Sequence, residues 1–103
     1  MNLTEYQNAA AETAIYPQEY EIIYPALGLA GEAGEVANKV KKLIRDGNTD
    51  LHSIADELGD VLWYIAALAR DLGVDLDTLA KENIKKLHSR KQRGVLGGSG
   101  DKR

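Results

Sequence analysis

The chain is 103 residues long, 44% hydrophobic and 28% charged, with a formal net charge of −3 and no cysteine. That length fits one domain with a modest core, and the composition suits a folded chain better than a disordered one. Without cysteine there is no disulfide framework, thiolate zinc site or Cys nucleophile, so any metal must sit on oxygen or histidine. No apolar run approaches the roughly 20 residues that span a bilayer. The start, Met1-Asn2-Leu3-Thr4-Glu5, lacks a basic region followed by an apolar one, and a cytoplasmic protein without membrane contact is expected.

The charge is unevenly spread: residues 1–80 carry 5 basic and 14 acidic side chains, and residues 81–103 carry 8 basic and 2 acidic ones. A basic C-terminal segment can serve as a nucleic-acid arm, or it can face an acidic helix across a pocket for a metal-bound polyphosphate.

Four helices are predicted, with no strand-like alternation. The first starts at Thr4, where Thr4-x-x-Gln7 has the form of a capping box, and runs to about Ile15 before Pro17. Residues 16–25 form a tyrosine-rich loop (Tyr16, Tyr20, Tyr24) between two prolines. The second helix runs from about Ala26 to Arg45, because Leu29, Ala33, Val36, Val40, Leu43 and Ile44 recur at three- and four-residue intervals, and it ends at Asp46-Gly47. The third follows a cap at Asp50 and ends at Gly73. Its wide apolar face, including Leu51, Leu58, Leu62 and Leu72, suggests contacts on two sides. The fourth runs from about Asp75 to Arg93 with Leu76, Leu79, Ile84 and Leu87 inward, so residues 1–93 form one helical domain. Residues 94–103 hold four glycines and read as a flexible tail or lid.

Chemistry concentrates in two acidic pairs, Glu32-Ala33-Gly34-Glu35 on the second helix and Glu57-Leu58-Gly59-Asp60 on the third. Residues three apart lie about 60° apart around a helix, so each pair shares a face. Antiparallel packing of the two helices then brings four carboxylates together, as in helix bundles with carboxylate metal sites. An all-oxygen donor set favours Mg²⁺, or Mn²⁺, over softer metals. Gly31, Gly34 and Gly59 beside the acids each cost about 1 kcal/mol of helix propensity, which suggests that something approaches the backbone there. The plainer alternative is a pair of solvated helix faces, since acids at this spacing are common.

These residues resemble a known family. Gly28-Leu-Ala-Gly-Glu-Ala-Gly-Glu-Val and Asp56-Glu-Leu-Gly-Asp-Val-Leu-Trp-Tyr64 are similar to the ExxE…ExxD signature of MazG-type pyrophosphohydrolases, and Asn83-x-x-Lys86-Leu87-x-x-Arg90 extends the likeness. The resemblance covers nearly the whole chain, in a short form similar to stand-alone, often phage-type members. It implies an all-α four-helix bundle completed by homo-oligomerisation, as a homodimer or a tetramer of dimers. It also implies Mg²⁺-dependent hydrolysis between the α- and β-phosphates of nucleoside triphosphates. On the same ground Glu32, Glu35, Glu57 and Asp60 are implied as catalytic metal ligands and Tyr64 as a wall of the nucleotide pocket. Asn83, Lys86 and Arg90 are implied as further substrate contacts.

Glu35 or Glu32 is the expected general base, as the acid less committed to metal. Lys39 and Lys42 share the Glu35 stripe and could meet phosphate, or could be solvated lysines in i, i+4 pairs. Lys86 and Arg90, four apart on the fourth helix, could meet phosphate, with Arg90 gripping it through two hydrogen bonds, or could form a solvated basic face. Trp63, about 100° around from Tyr64, reads as core or subunit contact. Tyr16 could close the pocket but reads as packing, and His52 and His88 as solvated or capping. A non-catalytic helical nucleotide- or nucleic-acid-binding module is the competing function. Four convergent acids would repel a nucleic-acid backbone, so no nucleic-acid partner is expected.

Overall fold

The computed structural model describes residues 1–47 and 50–103, with four α-helices and, among the described residues, no strand. Helix α1 spans Leu3–Ala11, α2 Ile23–Asp46, α3 Leu51–Asp71 and α4 Leu76–Gln92; a 3₁₀ turn, Gln18–Tyr20, lies between α1 and α2.

The cap of α1 lies ahead of the expected one. Asn2 Oδ1 accepts from the Glu5 N–H at 2.8 Å and Glu5 Oε1 accepts from the Asn2 N–H at 3.1 Å, a complete capping box. Thr4 and Gln7 are thereby free for longer-range bonds. The Thr4 hydroxyl donates to Asp75 Oδ1 at 2.8 Å, and the buried Gln7 amide donates to the Val74 and Ala66 carbonyls while accepting from the Leu76 N–H. One polar side chain therefore satisfies the turn between α3 and α4, where orphan backbone groups would otherwise be costly.

α1 ends at Ala11, four residues short of Ile15, and the Thr13 hydroxyl folds back to donate to the Ala10 carbonyl. α2 begins three residues before Ala26 with Pro25 in its first turn, where a missing N–H costs nothing. It starts from a tight γ-turn: Ile22 has φ 69° and ψ −53°, and the Ile23 N–H donates to the Glu21 carbonyl at 2.7 Å. A β-branched residue is disfavoured in that region. Asp71 Oδ2 holds it there, accepting from the Ile22 N–H at 3.0 Å and from the Tyr16 hydroxyl at 2.7 Å. Gly47 closes α2 in a left-handed conformation and Asp50 caps α3, as expected; α3 ends at Asp71, two residues before Gly73, and Asp75, read as the start of α4, is its cap.

α2 and α3 form a long antiparallel hairpin, α1 lies along α3, and α4 touches α1 and α3. The small core comprises Ala10, Ala66, Ala69 and Leu76, with Leu3, Tyr6, Trp63 and Ile65 packed against it. Alanines at the crossing let helices approach closely. Much else that is apolar stays uncovered. Leu79, Ile84 and Leu87 of α4, read as inward, are exposed in the single chain, as are Leu51, Leu58 and Leu62 of α3. The Cα radius of gyration is 16.4 Å, against about 13 Å for a compact globule of this length.

Candidate metal and nucleotide site

The hairpin brings α2 and α3 together in antiparallel register, and three of the four acids converge. One carboxylate oxygen from each of Glu32, Glu57 and Asp60 lies within 4.8 Å of the other two. Ligands on opposite sides of a Mg²⁺ ion stand about 4.2 Å apart, so small side-chain rotations would close this set on one cation. Glu35, one helical turn further along α2, lies outside the triad and is exposed. Its charge is still felt at Glu32.

Lys39 enters the site as a partner of an acid. Its Nζ lies 2.9 Å from Glu57 Oε1 and donates to the Ser53 carbonyl at 3.2 Å. That contact and a hydrogen bond with Glu32 hold the Glu57 carboxyl below its usual range. Glu32 moves oppositely: the hydrogen bond to Glu57, then burial, then the charges of Glu57, Asp60 and Glu35 push it up to about 7. Such opposite shifts are the ordinary response of carboxylates crowded too closely for all to ionise. A divalent cation would supply the same relief, and the hard oxygen donors fit Mg²⁺ or Mn²⁺.

Next to the triad lies a cavity of about 370 Å³ lined by Thr13, Glu32, Asp60, Trp63 and Tyr64. Tyr64 packs on α2 at Gly28, where a Cβ would overlap its ring, so glycine at this position makes room for the aromatic wall. Burial and then the neighbouring Tyr24 raise the Tyr64 pKa. Tyr24 stacks on Tyr16 with centroids 4.8 Å apart, which links this wall to the Asp71-held turn. Burial and the bond to Asp71 push Tyr16 up to about 12. By contrast, no heavy atom outside their own helix comes within 4 Å of a Cβ built on Gly31, Gly34 or Gly59.

The remaining residues singled out from the sequence lie elsewhere in the single chain. Lys42 is exposed further along α2, where its charge acts on Asp46. Asn83 and Lys86 line a separate depression on α4 with Val74, Thr78, Leu79 and Glu82. Arg90 is buried and donates to the Asp101 carbonyl at 2.6 Å. The tail folds back at this point, and Arg103 donates to the carbonyls of Val95, Leu96 and Gly100. His52 lies 3.7 Å from Asp56 on the surface of α3, and His88 is exposed on α4. No sequence pattern marks Thr13 or the cavity-facing side of Trp63. They meet only because α1 stops early and the chain turns back over α3.

Comparison with known proteins identifies the family. The chain is 47% identical over 114 aligned positions to the Gene 37 protein of Mycobacterium phage L5, with both chains covered in full. No solved structure matches. The MazG nucleotide pyrophosphohydrolase domain matches residues 21–95, the span holding all four acids and the tyrosine wall, and the chain belongs to that family.

Proposed function

We propose that this protein hydrolyses a nucleoside triphosphate to the monophosphate and pyrophosphate, with Mg²⁺, or Mn²⁺ in its place, held by Glu32, Glu57 and Asp60. The observation that carries the reading is the placement of the carboxylate triad at the edge of a cavity walled by aromatic rings. Such a site accepts a metal-bound polyphosphate at one end and a planar base at the other. When bound, the cation neutralises phosphate charge and acidifies water. Lys39 fixes the Glu57 carboxylate through a direct ion pair, which keeps that donor ionised and oriented. Glu35, close to the triad but outside it, is the acid free to take a proton from the attacking water. Lys42, Asn83, Lys86 and Arg90 act on phosphate only if a second copy or a rearranged tail brings them to the triad. A homo-oligomer in the cytoplasm completes the reading.

The test is a panel of ribo- and deoxynucleoside triphosphates with Mg²⁺, in which pyrophosphate and orthophosphate are scored separately. Pyrophosphate is the expected first product. Orthophosphate as the sole first product would refute the assignment.

Proton linkage supplies a second expected result. The folded-state pKa of Glu32, about 7, lies above its ordinary 4.5. Its contribution to apo-protein stability is therefore fully present below the lower value and is lost as pH rises through the upper one. A divalent cation needs the ionised carboxylate, so metal binding should release a proton near neutrality. Mg²⁺ is thus expected to raise Tm more at pH about 8 than at pH about 5, with the difference reduced in Glu32→Gln. Equal Mg²⁺ stabilisation at both pH values would contradict this account of Glu32.

A further inference from the structure

Trp63 and Tyr64 are adjacent on α3 and point about 100° apart around the helix. Their rings meet edge to face, with centroids 5.0 Å apart and planes at 86°. Both line the cavity beside Glu32 and Asp60, so its aromatic end is a right-angled corner. The Trp63 indole N–H donates to Thr13 Oγ1 at 2.8 Å, and the Thr13 hydroxyl donates onward to the Ala10 carbonyl at 2.9 Å. Both donors are consumed. The indole is held in one orientation by a hydroxyl that is itself anchored to the end of α1.

This chain of bonds decides what the corner can read. A base stacked on either ring meets the other ring edge-on, and neither the indole N–H nor the Thr13 O–H is left to probe its hydrogen-bonding edge. On the Trp63 side of the corner, recognition works through stacking and size, a mode that tolerates any planar base up to the dimension that wall allows. We infer that Trp63, positioned by Thr13, is the specificity-determining wall for the nucleobase and limits the size of the base admitted. The inference rests on the nucleotide-hydrolase reading above for the identity of its ligand.

Trp63 is the chain's single tryptophan, so its fluorescence reports this wall alone. Titration of the Mg²⁺-loaded protein with α,β-methylene-CTP and α,β-methylene-ATP, neither cleavable at the α–β linkage, should perturb indole emission saturably. Thr13→Val removes the acceptor while keeping shape. It should raise KM by about fivefold or more, the lower end of what loss of base stacking costs, with kcat little changed. Thr13→Ser should restore the parent value. Trp63→Ala should shift the ratio of kcat/KM for two-ring over one-ring bases upward. Indole emission unmoved by saturating analogue, or Thr13→Val kinetics identical to those of the parent, would overturn the inference. Absence of pyrophosphate release from every nucleotide would sink the hydrolase reading instead, and the fluorescence titration, which needs no turnover, would still decide whether the corner binds a base.

Discussion

Glu57→Gln and Asp60→Asn are each expected to lower pyrophosphate release by at least about 100-fold, the scale of removing one group that stabilises developing charge in an active site. Both substitutions keep side-chain volume and remove a negative charge from the triad. Neither should unfold the protein. The Lys39–Glu57 pair keeps 26% and 16% of its side-chain surfaces exposed, and exposed or partly exposed pairs contribute little to stability. The helical circular-dichroism signal should therefore persist while Mg²⁺-induced stabilisation disappears. Glu35→Gln provides the contrast. Lying outside the triad, it should retain Mg²⁺ stabilisation and lose kcat if Glu35 receives the proton from water. Full activity in both α3 variants would move the site elsewhere.

The local signals that survived folding are those whose physics is complete within a few residues. Asp50 caps its helix because a short acceptor before an apolar-periodic run satisfies orphan N–H groups wherever the helix ends up. Glu57 and Asp60 share a face for equally local reasons, and Glu32 needs only the antiparallel hairpin that a short connection imposes to join them, whereas Glu35 stays outside. What was illegible depends on residues far apart in the chain. Thr4 and Gln7 carry a capping-box spacing, yet Asn2 and Glu5 make the box and Thr4 and Gln7 bind the α3–α4 turn some 59 to 71 residues away. The start of α2 could not be read because the positive φ of Ile22 is stabilised by Asp71, 49 residues on. Trp63 read as packing. It does pack against the core, but its N–H is also committed to Thr13, a contact that no spacing encodes.

Self-association is the remaining expectation with a large effect. Leu27 is 70% exposed, Ile44 82%, Leu51 67% and Leu58 55%, while the buried apolar core of the single chain is mostly alanine. Burying a large aliphatic side chain is worth about 1.5–3 kcal/mol, and a core of small residues forgoes most of that. A 103-residue helical chain in this condition is expected to gain its missing burial from another copy. Gly31, Gly34 and Gly59 fit the same picture, since each weakens its helix by about 1 kcal/mol and none is explained by a contact within the single chain. Sedimentation at micromolar concentration should therefore give at least twice the 11.3 kDa of one chain, and Tm should rise with protein concentration. Leu58→Glu, which places a charge on the uncovered α3 face, should shift the distribution toward monomer and lower Tm by several degrees, about what 1 kcal/mol costs a domain of this size. An 11.3 kDa species that stays folded and active on dilution, with Tm independent of concentration, would show that these faces have another use.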